Sequence, residues 1–224
     1  MPKLKPDTQL ARRERILDSA EICFARSGFH RCTMQDICRE AGISPGALYV
    51  YFASKEDLIA GIAERDRGEF QSRFETLSDA QDILEALAAI GEQYFVEEPR
   101  HKRLMCVEVG VESTRNPKVG EIFRAVDTHV HASFERLFER LTREGRIAPE
   151  LDAPTLAGLF AVIGDGMAWR RAVDPNFEPK ALMPAVVSLV RSLLRPVDAA
   201  APSQIEAGVP IPAAATPTNR NETP

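Results

Sequence analysis

Between Ala41 and Pro45 the chain reads A-G-I-S-P, and these five residues constrain the fold more than any other stretch. Gly42 is the residue a helix needs where its end turns into the left-handed region. Ser44 offers a hydroxyl to cap a following helix, and Pro45 suits a first helical position, where its missing N–H costs nothing. One helix must stop and another must start within this stretch. Upstream, Thr33 stands as an N-cap with Asp36 three residues on, an acidic variant of the capping box, and Met34, Ile37, Cys38 and Ala41 trace one face up to Gly42. Earlier still, Ile16, Leu17, Ala20, Cys23 and Phe24 recur at three- and four-residue spacing within Leu10 to Ser27, and Gly28 ends the run. Short helices joined by so tight a turn form a helix-turn-helix, whose second member can enter the major groove of DNA by its N-terminus.

The residues after Pro45 suit that task. Gly46 and Ala47 are small, so the helix end can approach a base edge or a phosphate. Leu48 and Phe52, four apart, face inward, which leaves Tyr49 and Tyr51 outward, each with a ring for methyl contact and a hydroxyl for phosphate. Ser54 caps a fourth helix, and Lys55 lies in its first turn, where free N–H groups favour an anion. The formal net charge of -5 argues against a nucleic-acid partner until it is divided. Residues 1–55 hold nine Lys/Arg against six acids, so the front is mildly basic and the remainder acidic. From spacing alone, DNA binding and an all-helical core that uses Ser-Pro starts remain open together.

The order of the residues narrows the choice. The run TMQDICREAGISPGALYVYFASKEDLI, Thr33 to Ile59, resembles the DNA-binding signature of TetR-type transcriptional regulators, and the likeness extends back to Arg12. Shared features are the Thr that opens the second helix, the Asp-Ile pair, Ala-Gly-Ile-Ser at the turn, Gly then Leu-Tyr, Tyr-Phe, and Ser-Lys-Glu-Asp-Leu. Cys38 stands where the family commonly has Ala, Cys32 where a second Thr is common, and Val50 where many members place a polar or basic residue. The resemblance implies phosphate contacts at Thr33, Tyr51 and Lys55 and a groove-facing surface of Ser44, Gly46, Ala47 and Tyr49. It also implies a homodimer on double-stranded operator DNA, a small-molecule effector, and repression of a palindromic operator, with efflux as the commonest setting.

Downstream of Lys55, breakers at Ser78-Asp79, Glu98-Pro99, Asn116-Pro117, Glu144-Gly145 and Asp174-Pro175 separate intervals without sustained period-two alternation. The expectation is an all-α fold of about nine helices, with the later ones near 55–76, 80–97, 100–114, 117–143, 153–172 and 178–195. Residues 1–55 are then a DNA-binding head and 56–195 an effector-binding and dimerisation body. Residues 196–224, rich in Pro, Ala and Thr, form a tail expected to be disordered. The helix from Ser54 belongs to both head and body by its position in the chain and is expected to be the only short route between them. Apolar residues cover more than one face near 153–172 and 178–195. A second subunit at Leu182, Val186, Leu189, Val190 and Leu193 accounts for the extra face, with a monomer core as the plainer explanation.

The middle helices carry apolar stripes with polar insertions, the composition of a small-molecule cavity: Tyr94, Phe95, Met105, Glu108, Phe123, His129, Phe134, Phe160, Asp165 and Trp169. Any one of these aromatics more often packs than binds. Glu108, between Met105 and Val111, is expected on an inner face, where a buried acid would favour a cationic ligand or a proton, so the effector expected is lipophilic or cationic. No Gly-rich phosphate loop, nucleophile elbow or acid–base cluster points to an enzyme, and no cofactor is implied. His129 and His131 are two apart on a helix and point to nearly opposite sides, which disfavours a metal site. Alternatives are a redox sensor using Cys23, Cys32 or Cys38, and a helical adaptor that does not bind DNA. No apolar run reaches the roughly 20 residues of a membrane span, no secretory signal opens the chain, and cytoplasmic residence with reduced cysteines is expected.

Overall fold

The computed structural model describes residues 6–197. Within them the chain is helical: α1 (Pro6–Ser27), α2 (Met34–Ala41), α3 (Pro45–Tyr49), α4 (Lys55–Asp79), α5 (Ile83–Gly91), a π-helix (Glu92–Glu97), α6 (Arg100–Ser113), α7 (Pro117–Arg143), α8 (Ala153–Val173) and α9 (Pro179–Leu194). The one extended pairing among the described residues is a bridge between Ile147 and Pro196, with the Val197 amide donating to the Arg146 carbonyl at 2.9 Å. This fastens the exit from α9 to the α7–α8 turn. The rest of the expected tail, 198–224, lies outside the described residues.

Local chemistry sets most of the helix ends. Thr33 and Asp36 form the reciprocal capping box, Gly42 takes φ 64° at the end of α2, and Ser44 accepts from the Ala47 amide at 3.3 Å. Ser54 caps α4, Asp82 caps α5, Asn116 caps α7 and Asp152 caps α8, each through its side chain. The segment expected as a single helix over 80–97 is instead a short α-helix that starts after Asp82 and widens into the π-helix. At 1.5 Å per residue, the 25 residues of α4 span about 37 Å. That length carries the chain from the head deep into the body.

Two cores hold the molecule. Ile16, Leu17 and Phe24 of α1, Ile37 of α2, Leu48 of α3, Phe52 of the α3–α4 connection and Leu58 in the first turn of α4 fill the first, all buried. Met105 of α6 and Val119 of α7 complete that core, so the head is closed from below by the body. The second core joins Leu77, Leu84, Leu137, Phe138, Leu141, Ile147, Leu156 and Leu194, from α4, α5, α7, α8, α9 and the α7–α8 turn. Burying side chains of this size contributes roughly 1.5–3 kcal/mol each before chain entropy is subtracted.

Candidate DNA-reading surface and effector region

α3 is a single short turn of helix with its N-terminal end open. Ser44, Pro45, Gly46, Tyr49 and Val50 are exposed, and a Cβ placed on Gly46 would meet nothing within 4 Å. Tyr49 stands 54% exposed and Val50 79%, while Leu48 between α3 and the core is fully buried. Ala47 is half-buried, at the edge of this face. The surface is therefore small, apolar and poor in hydrogen-bonding reach, which suits methyl contact and close backbone approach. Val50, which stands where many TetR-type proteins place a polar or basic residue, is the most exposed apolar side chain of the described head.

The three expected phosphate contacts are more occupied than their positions implied. Thr33 Oγ1 donates to Asp36 Oδ2 at 2.6 Å and accepts from the Asp36 amide at 3.2 Å. Its proton is thus spent within the cap, and the Thr33 hydroxyl and amide hold the Asp36 carboxyl below its ordinary range. Tyr51 packs partly against the head core. The Lys55 ammonium donates to the Phe29 carbonyl and lies 4.2 Å from the centre of the Phe29 ring, so it fixes the turn before α2.

That turn, 28–30, is the joint between head and body. Gly28 has φ 77°, where a side chain is strained, and a Cβ there would stand 3.0 Å from Glu108 Oε1 and crowd that carboxylate, so the position favours glycine. Glu108 Oε1 accepts from the Phe29 amide at 2.6 Å, and one turn along α6 the buried Glu112 places Oε2 at 2.8 Å from His30 Nε2. On the other side, Asn116 Nδ2 donates to Glu56 at 3.0 Å and Lys118 Nζ to Asp57 at 2.8 Å, tying the first turn of α7 to the first turn of α4. Arg65 of α4 pairs with Asp18 and Glu21 of α1; burial raises the Glu21 pKa and Arg65 offsets part of that rise. The expectation of α4 as the sole short route needs correction, since α1 packs on α6 more extensively than on α4.

Residues 16–62 match the family model for bacterial regulatory proteins of the tetR family, and residues 84–195 match the C-terminal model for BetI-type transcriptional repressors. The chain belongs to the TetR family. Among its relatives, the HTH-type transcriptional regulator UidR of Escherichia coli K12 is 29% identical over 174 residues, 74% of this chain and 86% of that protein. Salmonella enterica GusR, a solved structure, is 28% identical with a TM-score of 0.72 and covers 87% of this chain and 100% of its own. The structure of Bacillus subtilis FadR in complex with stearoyl-CoA, 20% identical with a TM-score of 0.68 over 79% of this chain and 96% of its own, shows the fold alone. TetR-family proteins are transcriptional regulators and not enzymes.

In this TetR-family body the ten residues expected around a cavity fall into separate groups. Met105 is buried in the head core, and Glu108 is spent on the 28–30 turn; both serve the joint, because the face of α6 that looked inward meets the head. Phe134 and Phe160 stack with Phe70, Phe74 and Phe138 in one aromatic run, their rings 5.5 Å apart, and His129 meets Phe70 at its edge, 6.3 Å away. His129 Nε2 is buried without a hydrogen-bond partner. Tyr94 lies half-buried beneath the Arg73 guanidinium, 5.1 Å from ring centre to carbon, and Phe95 lies beside Gly91 in the same π-helix region. Phe123 and Trp169 are 42% and 51% exposed, and partial burial with the charge of Asp127 raises the Asp165 pKa. Two surface hollows of about 190 and 440 Å³, lined by Gln71, Phe74 and Arg136 in one case and Ala88, Glu92 and Gln93 in the other, use none of the ten.

α8 and α9 form a hairpin with apolar side chains left in solvent. Val162, Trp169 and Val173 on α8 and Leu182 and Leu189 on α9 are each more than two-fifths exposed. Val186 and Leu193 are half-buried against the second core and Val190 is buried in it, so the five expected interface residues divide between an outer stripe and the core. No described helix is long and apolar enough to cross a membrane.

Proposed function

We propose that this protein is a cytoplasmic homodimeric repressor that grips a palindromic operator and is released by a small-molecule effector. The observation that carries the reading is the apolar surface left in solvent on the α8–α9 hairpin: Val162, Trp169 and Val173 at the seven- and four-residue spacing of one face of α8, and Leu182 and Leu189, two turns apart, on α9. A second copy of the same hairpin covers them by a two-fold axis, and a two-fold places two α3 helices on successive major-groove faces. The Ser44–Tyr49 surface reads the groove, with phosphate contacts from Tyr51, Lys55 and the turn at Thr33. The aromatic run and the residues around the π-helix supply the effector region. The ground for preferring a cationic effector, an unengaged Glu108, is gone, because that carboxylate holds the Phe29 amide.

Selecting DNA from a random pool with the purified full-length protein tests the reading. The expected product is an inverted repeat with half-sites about one helical turn, or a small multiple of it, apart. Enrichment of a single half-site, or of nothing, would remove the dimeric operator. Control of efflux, the setting the resemblance implies, is checked by whether loss of the protein raises the transcript of a transporter gene carrying that repeat. The redox alternative fares poorly on chemistry: Cys23 and Cys32 are buried, and burial together with Cys23 pushes the Cys32 thiol up to about 12, so little reactive thiolate is present.

A further inference from the structure

Where α6, α8 and the π-helix meet, two arginines are left short of partners. Arg103 of α6 donates through Nη1 to the Glu98 carbonyl, and Arg171 of α8 donates through Nη2 to the Val96 carbonyl. Both side chains are half-buried, and neither forms an ion pair among the described residues. Arg103 Nε and Arg171 Nη1 are closed off from water and have no acceptor. Buried guanidinium N–H groups are nearly always satisfied, so a pair of them unmatched at one junction calls for an explanation.

The surroundings are positive. Burial, the charge of Arg171 and then that of Arg100 lower the Arg103 pKa, and burial lowers that of Arg171. The carboxylate whose field reaches both is Glu98, and it is already shared, with its Oε1 4.0 Å from the Lys102 ammonium and Arg73 also nearby. The segment that the arginines hold is a six-residue π-helix. Such helices are rare, and they persist mostly at functional sites where something compensates for their poorer hydrogen bonding. It also carries Tyr94 and Phe95, two of the side chains expected to touch an effector.

We propose that Arg103 and Arg171 form the anion-recognising end of the effector site, and that the effector is an organic molecule bearing a carboxylate or a phosphate. Planar guanidiniums present paired N–H donors that match the oxygens of either group. The unmatched donors are shielded in the arrangement described, so an anion that takes them must part the junction and move α6 relative to α8. α6 also carries Glu108 and Glu112, which hold the 28–30 turn of the head. An anion that fits only the parted arrangement therefore has the differential affinity that a switch requires.

This inference rests on the reading of the body as a small-molecule site, and the test separates the two. Titration calorimetry on the full-length protein uses aliphatic, aromatic and polyhydroxylated carboxylates and phosphate monoesters, each beside its uncharged and its amine counterpart. Operator release is followed in parallel on the DNA that the protein itself selects. At least one anion is expected to bind about tenfold or more tightly than its uncharged counterpart. Arg171→Gln and Arg103→Gln should abolish that preference, and the carboxylate and phosphate arms tell which head group is meant. A merely structural role would weaken charged and uncharged ligands alike, which would overturn the proposal. So would a neutral or amine ligand that binds as well as any anion and is unaffected by Arg171→Gln, although the small-molecule reading would then stand. Binding by no compound overturns both. Should Arg171→Gln fail to fold, Arg171→Lys decides: it keeps the charge but loses the fork, and unchanged anion preference in that variant counts against the site.

Discussion

Gly46 separates what a residue does for the fold from what it does for recognition. Its Cβ position is open, so Gly46→Ala enters α3 without a clash, and by reducing the freedom of the unfolded chain it should raise stability by about 0.4–1 kcal/mol. The added methyl stands on the face proposed to enter the groove, and operator affinity should fall by about tenfold, 1.4 kcal/mol. Urea denaturation and fluorescence anisotropy on the selected operator check the two signs, and a loss of affinity without the gain in stability would mean that α3 is strained there. Lys55 carries both duties at once. Its ammonium holds the Phe29 carbonyl and has protons left over. Lys55→Ala should therefore cost about 1 kcal/mol of stability and also flatten the dependence of operator affinity on salt by about one unit. If stability falls while the salt slope stays, Lys55 belongs to the joint alone. Thr33 shows the same doubling, since the hydroxyl that the resemblance assigns to phosphate is already donating to Asp36.

Among the elements, α4 is the one whose first turn faces the head, the body and solvent together. Lys118 donates to Asp57, and this bond holds the Asp57 carboxyl below its ordinary value of 3.8. Burial works to raise Glu56, but hydrogen bonds from its own amide, Asn116 and Ser54 outweigh it and lower that carboxyl too. A carboxyl with a depressed folded pKa binds fewer protons folded than unfolded. Its stabilisation is therefore complete above the unfolded value, about 3.9, and is lost as pH falls through the folded one. Asp57→Asn should be less stable than the unmodified protein near neutral pH, and the gap should narrow as pH falls below the unfolded value and the native carboxyl protonates. Urea midpoints measured across that range are the check; a gap independent of pH would exclude the latch. The start of α4 could be read from the sequence because Ser54 and Lys55 are neighbours, and so could the ends of α2, α7 and α8, where the cap lies beside the helix it caps. The π-helix could not, because a shift from i→i+4 to i→i+5 bonding leaves no mark on the pattern of apolar residues. Nor could the grip of Glu108 on Phe29, which joins positions 79 apart; in sequence Glu108 resembles any acid on a mostly apolar helix.

For the whole molecule, the proposed dimer stands or falls with the α8–α9 hairpin. Both helices were visible in the sequence as too apolar for one face, but the sequence did not say which residues point out. Val186, an obvious choice for a disrupting charge, packs against the second core, so Val186→Glu would damage the monomer as well as any interface. Leu189, 47% exposed, tests the interface without opening the core. Leu189→Glu should keep the helical circular dichroism of the unmodified protein, sediment as a monomer, and bind the operator roughly a hundredfold more weakly, because the second half-site no longer benefits from tethering. A variant that stays dimeric and keeps its affinity would move the interface away from this stripe. The expected loss is large because each reading surface is so modest: Gly46, Tyr49 and Val50 offer few directional contacts, and one such surface cannot distinguish an operator from the non-specific background. In the proposed dimer, specificity comes from two such surfaces held at a fixed separation of about 34–36 Å or a small multiple of a DNA turn. That separation is set by the same body whose α6 and α7 grip the 28–30 turn and the start of α4. On the proposed dimer, a shift of a few Å in α6 should therefore weaken binding by spoiling the spacing, while each α3 keeps its own capped turn intact.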